Sequence, residues 1–127
     1  MPGRTYRLSA RHRAALAQVF AVAPEVVDAV RVTERSRFAR LHGRRIRATT
    51  RPGAIYLTGS GDAFAADPEL VLHEYFHGLR QWNAGTLTVS RYVRESVRRG
   101  YRRNRYEIEA RAFARAQLAA FAALLRP

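Results

Sequence analysis

The chain has 127 residues and no cysteine, which excludes disulfides, thiol catalysis and any cysteine-ligated metal, and leaves the redox compartment undetermined. It has no lysine either, so all 23 basic residues are arginine. Acids are scarce: ten stand against those 23, for a formal net charge of +13. Such a balance favours acidic partners, whether nucleic acid, anionic membrane or acidic protein. A GC-rich genome accounts for arginine and alanine in place of lysine, but it does not account for so few acids. No stretch approaches the roughly 18 apolar residues needed to span a bilayer. There is no repeat, linker or low-complexity tail. This length is that of one domain, residues 1–127, with enough chain to bury a modest core.

One stretch stands out, Asp67-Pro-Glu-Leu-Val-Leu-His-Glu-Tyr-Phe-His-Gly-Leu-Arg-Gln-Trp82. Asp67 is suited to the N-cap, Pro68 to the first helical position and Glu69 to the first turn. Within the predicted helix, His73-Glu74-Tyr75-Phe76-His77 is an H-E-x-x-H match. Residues i and i+4 share a helix face, so both imidazoles can reach one metal ion. Glu74 adjoins the first histidine, where it can act on a water as general base without ligating the metal. Leu70, Val71, Leu72, Tyr75, Phe76 and Leu79 make the helix apolar nearly all round, as for one at the centre of a domain. The bland account is a core helix whose histidines only hydrogen-bond to neighbours. Zinc is the expected cofactor.

Elsewhere the pattern predicts mixed α and β structure. Ser9 caps a segment with Leu16, Val19 and Phe20 at helical spacing. The basic and then apolar run of residues 1–23 resembles an export signal, but we read the segment capped by Ser9 as an amphipathic helix of the mature protein, and the bacterial cytoplasm is the favoured location. Residues 24–28 predict a turn or short helix leading into a strand over Ala29–Glu34. Arg44–Thr49 and Ala54–Thr58 read as a hairpin turned by Arg51-Pro-Gly53, and Gly59–Asp62 as a plain loop. Gly85 is suited to end the central helix. A helix over Ser90–Arg99 broken by Gly100, and a last helix from Asn104 onward, complete the chain.

Two histidines are an incomplete catalytic zinc site, since three protein ligands plus water is usual. His12 and His42 lie upstream and no histidine follows His77, so a downstream ligand must be Glu95, Glu107 or Glu109. Glu107 leads an inward series with Ala110, Ala114, Leu118, Phe121 and Leu125, whose alanines would allow close helix approach. Glu109 aligns with a less consistent stripe. Glu107 also stands three residues after Asn104, where it could cap the helix start instead. These alternatives stay open on spacing alone.

His73-Glu-x-x-His77 followed by Tyr106-Glu-Ile-Glu-Ala-Arg-Ala-Phe-Ala114 resembles a small bacterial zincin of the gluzincin kind. The nearest likeness is to compact metallopeptidase domains of unknown function whose motif runs on to a glutamine, here Gln81. It covers about residues 25–115. The resemblance implies an α+β zincin-like fold: a small sheet or hairpin on a central active-site helix, with a C-terminal helix bearing the glutamate. It implies a zinc-dependent metallopeptidase with zinc on His73, His77 and Glu107 and with Glu74 as general base. Such families carry Glu-x-x-x-Asp or Glu-x-x-x-Asn, which places the ligand at Glu107 and its companion at Arg111. An arginine cannot accept a hydrogen bond from a ligating histidine. The downstream histidine of larger gluzincins is also missing.

Tyr92, Tyr101 and nearby arginines are candidate donors to an oxyanion, and Ala54–Thr58 is the strand expected to align a peptide substrate. The segment 90–106 interleaves seven arginines with three tyrosines, which also suits phosphates and stacked bases. The competing functions are therefore nucleic-acid binding, or a zinc-stabilised module that binds an acidic protein and cuts nothing.

Overall fold

The computed structural model describes residues 3–37 and 47–127, and within these the chain is α+β, with six α-helices and a four-stranded sheet. His42 and the Arg44–Ile46 part of the expected hairpin lie outside the described residues. Strand β1 (Arg4–Tyr6) leads to α1 (Ala10–Phe20), whose first turn is capped by the Ser9 hydroxyl accepting from the His12 amide. The short helix α2 (Pro24–Asp28) feeds β2 (Arg31–Glu34), as the spacing predicts.

The hairpin is β3 (Ala48–Arg51) and β4 (Ala54–Leu57). Its turn is tighter than Arg51-Pro-Gly53. Arg51 still pairs with Ala54, Pro52 makes the first corner, and Gly53 supplies the positive φ of 73° at the second. The sheet order is β1-β2-β4-β3, with β2 and β4 parallel and the other pairs antiparallel. β4 is thus an interior strand paired on both sides, and β1 and β3 are the edges among the described residues. Gly59–Asp62 is not a plain loop, because Ser60 caps a short helix α3 (Gly61–Ala65) through the Ala63 amide.

The central helix α4 (Pro68–Phe76) starts where the sequence predicts, with the Asp67 carboxylate accepting from the Leu70 amide. Arg47 bonds the other Asp67 oxygen at 2.7 Å and so ties the start of β3 to the start of this helix. From His77 to Trp82 the helix continues as a π-turn, and Gly85, at φ 76°, follows it with the expected left-handed backbone. Helix α5 (Val89–Arg103) is broken at Gly100, whose φ of 77° and ψ of 166° are not helical. Asn104 caps α6 (Arg105–Leu125) by accepting from the Tyr106 amide. The Glu95 carboxylate takes the Arg105 amide, and the Asn104 amide that a capping glutamate would accept donates to the Tyr101 carbonyl, so Glu107 has no part in that cap. Among the described residues no helix is long and apolar enough to cross a membrane.

The core joins Leu16 and Phe20 of α1, Val32 of β2, Ile55 and Leu57 of β4, Val71, Leu72 and Tyr75 of α4, and Ala114 and Phe121 of α6. α4 packs against α6 and β3, and α1 also packs against α6. Ala110 and Ala114 are fully buried on α6, where a larger side chain would hold the helices apart. Ala110→Leu should cost about 1–3 kcal/mol in denaturant unfolding through overpacking. Ala112→Leu, on the exposed face of the same helix, should change stability by less than about 0.5 kcal/mol.

Candidate metal centre

Helix α4 and the first residue of the π-turn present His73 and His77 on one face, four residues apart. Their Nε2 atoms are 3.2 Å apart and the rings meet nearly edge-on at 80°. From α6, Glu107 sets Oε1 at 2.9 Å from His73 Nε2 and 3.3 Å from His77 Nε2. A tetrahedral ion with bonds of about 2.0–2.1 Å has ligand-to-ligand edges of about 3.3 Å. The three atoms therefore form one face of such a polyhedron, and the group can hold a metal ion. Glu109 does not join them: it is exposed and accepts from the Gln81 amide nitrogen at 3.1 Å. His12 is also elsewhere, with Nε2 against the Ala65 carbonyl.

His77, Glu74 and Glu107 are each held by a partner outside the cluster. His77 Nδ1 lies 2.6 Å from Gln81 Oε1, which acts as acceptor and leaves Nε2 free to face Glu107 and His73. Gln81 is only 2% exposed, and its amide nitrogen is fixed by the Tyr106 carbonyl and Glu109. The π-turn places this glutamine nearly above His77. The support expected at residue 111 thus comes from Gln81, on the histidine helix itself. A polar residue four positions after a ligating histidine is the signal that points to it.

Glu74 is buried and accepts the Thr50 hydroxyl on Oε1 at 2.7 Å. Its other oxygen, Oε2, lies 4.0 Å from His73 Nε2, on the side of the cluster. Thr50 belongs to β3, and no local pattern links it to a residue 24 positions on. Glu107 Oε2 accepts the Tyr92 hydroxyl at 2.7 Å, and Oε1 accepts a longer bond, 3.4 Å, from Tyr101. Both tyrosines of α5 thus face the cluster. Tyr106 is buried and donates to the Thr86 carbonyl. Tyr106 is thus held inside the protein and Tyr92 is part-buried, while Tyr101 is bonded to Glu107 yet 49% exposed.

The electrostatics follow from this packing. Burial by itself would lower His77, but the Glu107 carboxylate beside it outweighs burial and lifts it to about 9. Burial by itself would raise Glu107, yet its contacts with His73, His77 and Tyr92 hold its carboxyl far below the usual range. Tyr92 and Tyr101 are raised, first by burial and then by the Glu107 charge.

Above the cluster lies a cleft of about 160 Å³, lined by Thr49, Thr50 and Arg51 on one wall and Tyr92 and Tyr101 on another, with Trp82 at its margin. That is below the roughly 300–1,000 Å³ of sites that enclose a small molecule. A ligand here would lie across the cleft with one group inserted. The expected aligning strand, Ala54–Thr58, cannot border it, because β4 already has a partner on each edge. The strand beside the cleft is β3.

No protein-family model matches the chain, and no curated protein or solved structure matches it. Function must be argued from the geometry.

Two outcomes are expected. Elemental analysis should find one metal per chain in the wild type and in Glu109→Ala, and none in Glu107→Ala. In protein stripped by a chelator, the raised His77 contributes stability that is complete below 6.5 and lost as pH rises through about 9. The lowered Glu107 contributes stability present above 4.5 and lost as pH falls below that. The melting temperature of stripped protein should therefore be highest between those limits and decline towards pH 9. A flat profile would show that the pair is not coupled.

Proposed function

We propose that the protein is a zinc-dependent metallopeptidase with a zincin-like site. The observation that carries this reading is the convergence of His73, His77 and Glu107 at tetrahedral spacing, with one Glu74 oxygen left facing them. Two imidazoles and one carboxylate suit zinc, and three ligands leave a position open, as catalytic sites require. When bound, zinc lowers the pKa of water towards neutrality and polarises a carbonyl oxygen.

The residues of the chain divide the remaining work. Glu74 takes a proton from the attacking water and hands it to the leaving amine as the C–N bond breaks. The products are one carboxylate and one amine. Thr50, bonded to Oε1, fixes which carboxylate oxygen does this. Tyr92 keeps Glu107 in place through Oε2. Tyr101 makes the weaker bond, so its hydroxyl is the one able to turn towards the developing oxyanion.

An extended peptide would add to the edge of β3, where the alternation of the ladder leaves the backbone groups of Ala48 and Thr50 facing outward. The Thr50 carbonyl is already taken by the Trp82 indole at 3.2 Å. Pairing would then fall on the Ala48 side of the strand.

Glu74→Gln should keep its metal and lose hydrolysis of a mixed peptide library. Tyr101→Phe should keep its metal and lose about 10²–10³ in kcat. A wild type that holds zinc yet cleaves no member of the library would leave a metal-stabilised binding module in place of an enzyme. Full activity in Glu74→Gln would exclude that residue as the base.

A further inference from the structure

Helix α5 has an inner face that the centre uses and an outer face that no other described residue covers. Tyr92 reaches Glu107, Glu95 is buried against the start of α6, and Ser96 bonds Asn104. On the outside, Val89, Val93 and Val97 are 58%, 54% and 81% exposed. They are spaced i, i+4, i+8, so they form one ridge about 12 Å long. Arg94 and Arg98 each follow a ridge valine by one residue, and both are exposed. The helix carries a single acid, Glu95, which is turned inward and paired with Arg99 at 3.3 Å. The outer face is therefore apolar along one line, basic beside it, and free of negative charge.

We infer that this face of α5 docks on an anionic lipid surface. An amphipathic helix lying in a membrane interface needs an apolar strip dipping to the headgroup boundary and arginines flanking it at headgroup level. Arginine stems can lie along the apolar layer while their charges stay with the phosphates. Other occupants fit less well. A second copy would bring the same arginines against these, and like charges repel. A ridge of three valines about 12 Å long lacks the area, about 1,000 Å² or more, of a stable protein interface. Nucleic acid would leave the three valines in water. Because Tyr92 hangs from the inner face of the same helix, docking would set the cleft beside the membrane.

The inference does not depend on the metal centre. It is tested by sedimentation of the full chain with vesicles of phosphatidylcholine alone and of phosphatidylcholine with phosphatidylglycerol in equal parts. The wild type should pellet with the mixed vesicles and not with phosphatidylcholine. Val93→Ser with Val97→Ser should weaken partitioning about ten-fold. Arg94→Gln with Arg98→Gln should weaken it more than about ten-fold. Arg4→Gln with Arg115→Gln removes equal charge elsewhere and should have a much smaller effect. Circular dichroism and metal content should be unchanged in all three variants, since every substituted side chain is exposed. No pelleting of the wild type overturns the inference. So do equal losses in both arginine variants, which would mean diffuse charge, and undiminished binding of the serine variant. Capture by a DNA duplex but not by vesicles overturns it in favour of nucleic acid.

Discussion

Two helices come close enough for a carboxylate on one to reach two imidazoles on the other, and much else in the structure depends on that approach. Ala110 and Ala114 allow it, since neither puts bulk between α6 and α4. Phe121, further along the same face, then anchors α6 in the core with Leu72 and Tyr75 of α4. The apolar packing is what makes a buried cluster of titratable groups tenable. Glu107 and His77 are costly to bury singly, and each stabilises the ionised form of the other.

The cluster is also held from outside, and the supports come from different parts of the chain. Gln81 fixes His77 from the π-turn, Thr50 fixes Glu74 from the sheet edge, and Tyr92 fixes Glu107 from α5. A side chain held at two points has little freedom to lose when it meets a ligand, which is the condition for a preorganised site. The same arrangement couples strand to centre, because the Trp82 indole and the Glu74 carboxylate both bond to Thr50.

The arginines serve more than one end. Arg80 donates to the Phe20 carbonyl and lies over the rings of Phe20 and Phe113. Arg47 ties β3 to α4, and Arg91 closes the turn before α5 through the Gly85 and Thr86 carbonyls. These are structural uses, in which the planar fork binds carbonyls and carboxylates and stacks on rings. Arg94 and Arg98 of α5 have no such use among these contacts, and they lie beside exposed valines.

Much of this was readable in the chain itself wherever the cause is local. Asp67 and Pro68 start α4, Asn104 starts α6, Ser9 starts α1 and Gly100 breaks α5, because caps and breakers act within a few residues. His73 and His77 share a face through helix geometry alone. Spacing also put Glu107 on the inward face of α6, but left Glu109 and a capping role open. Only the packing of α6 on α4 separated them, by burying one glutamate beside the histidines and leaving the other at the surface. The role of Thr50, the edge position of β3 and the interior position of β4 were decided by tertiary structure. The parallel pairing of β4 with β2 joins strands 20 or more residues apart, and no periodicity along the chain records which strand will be its neighbour.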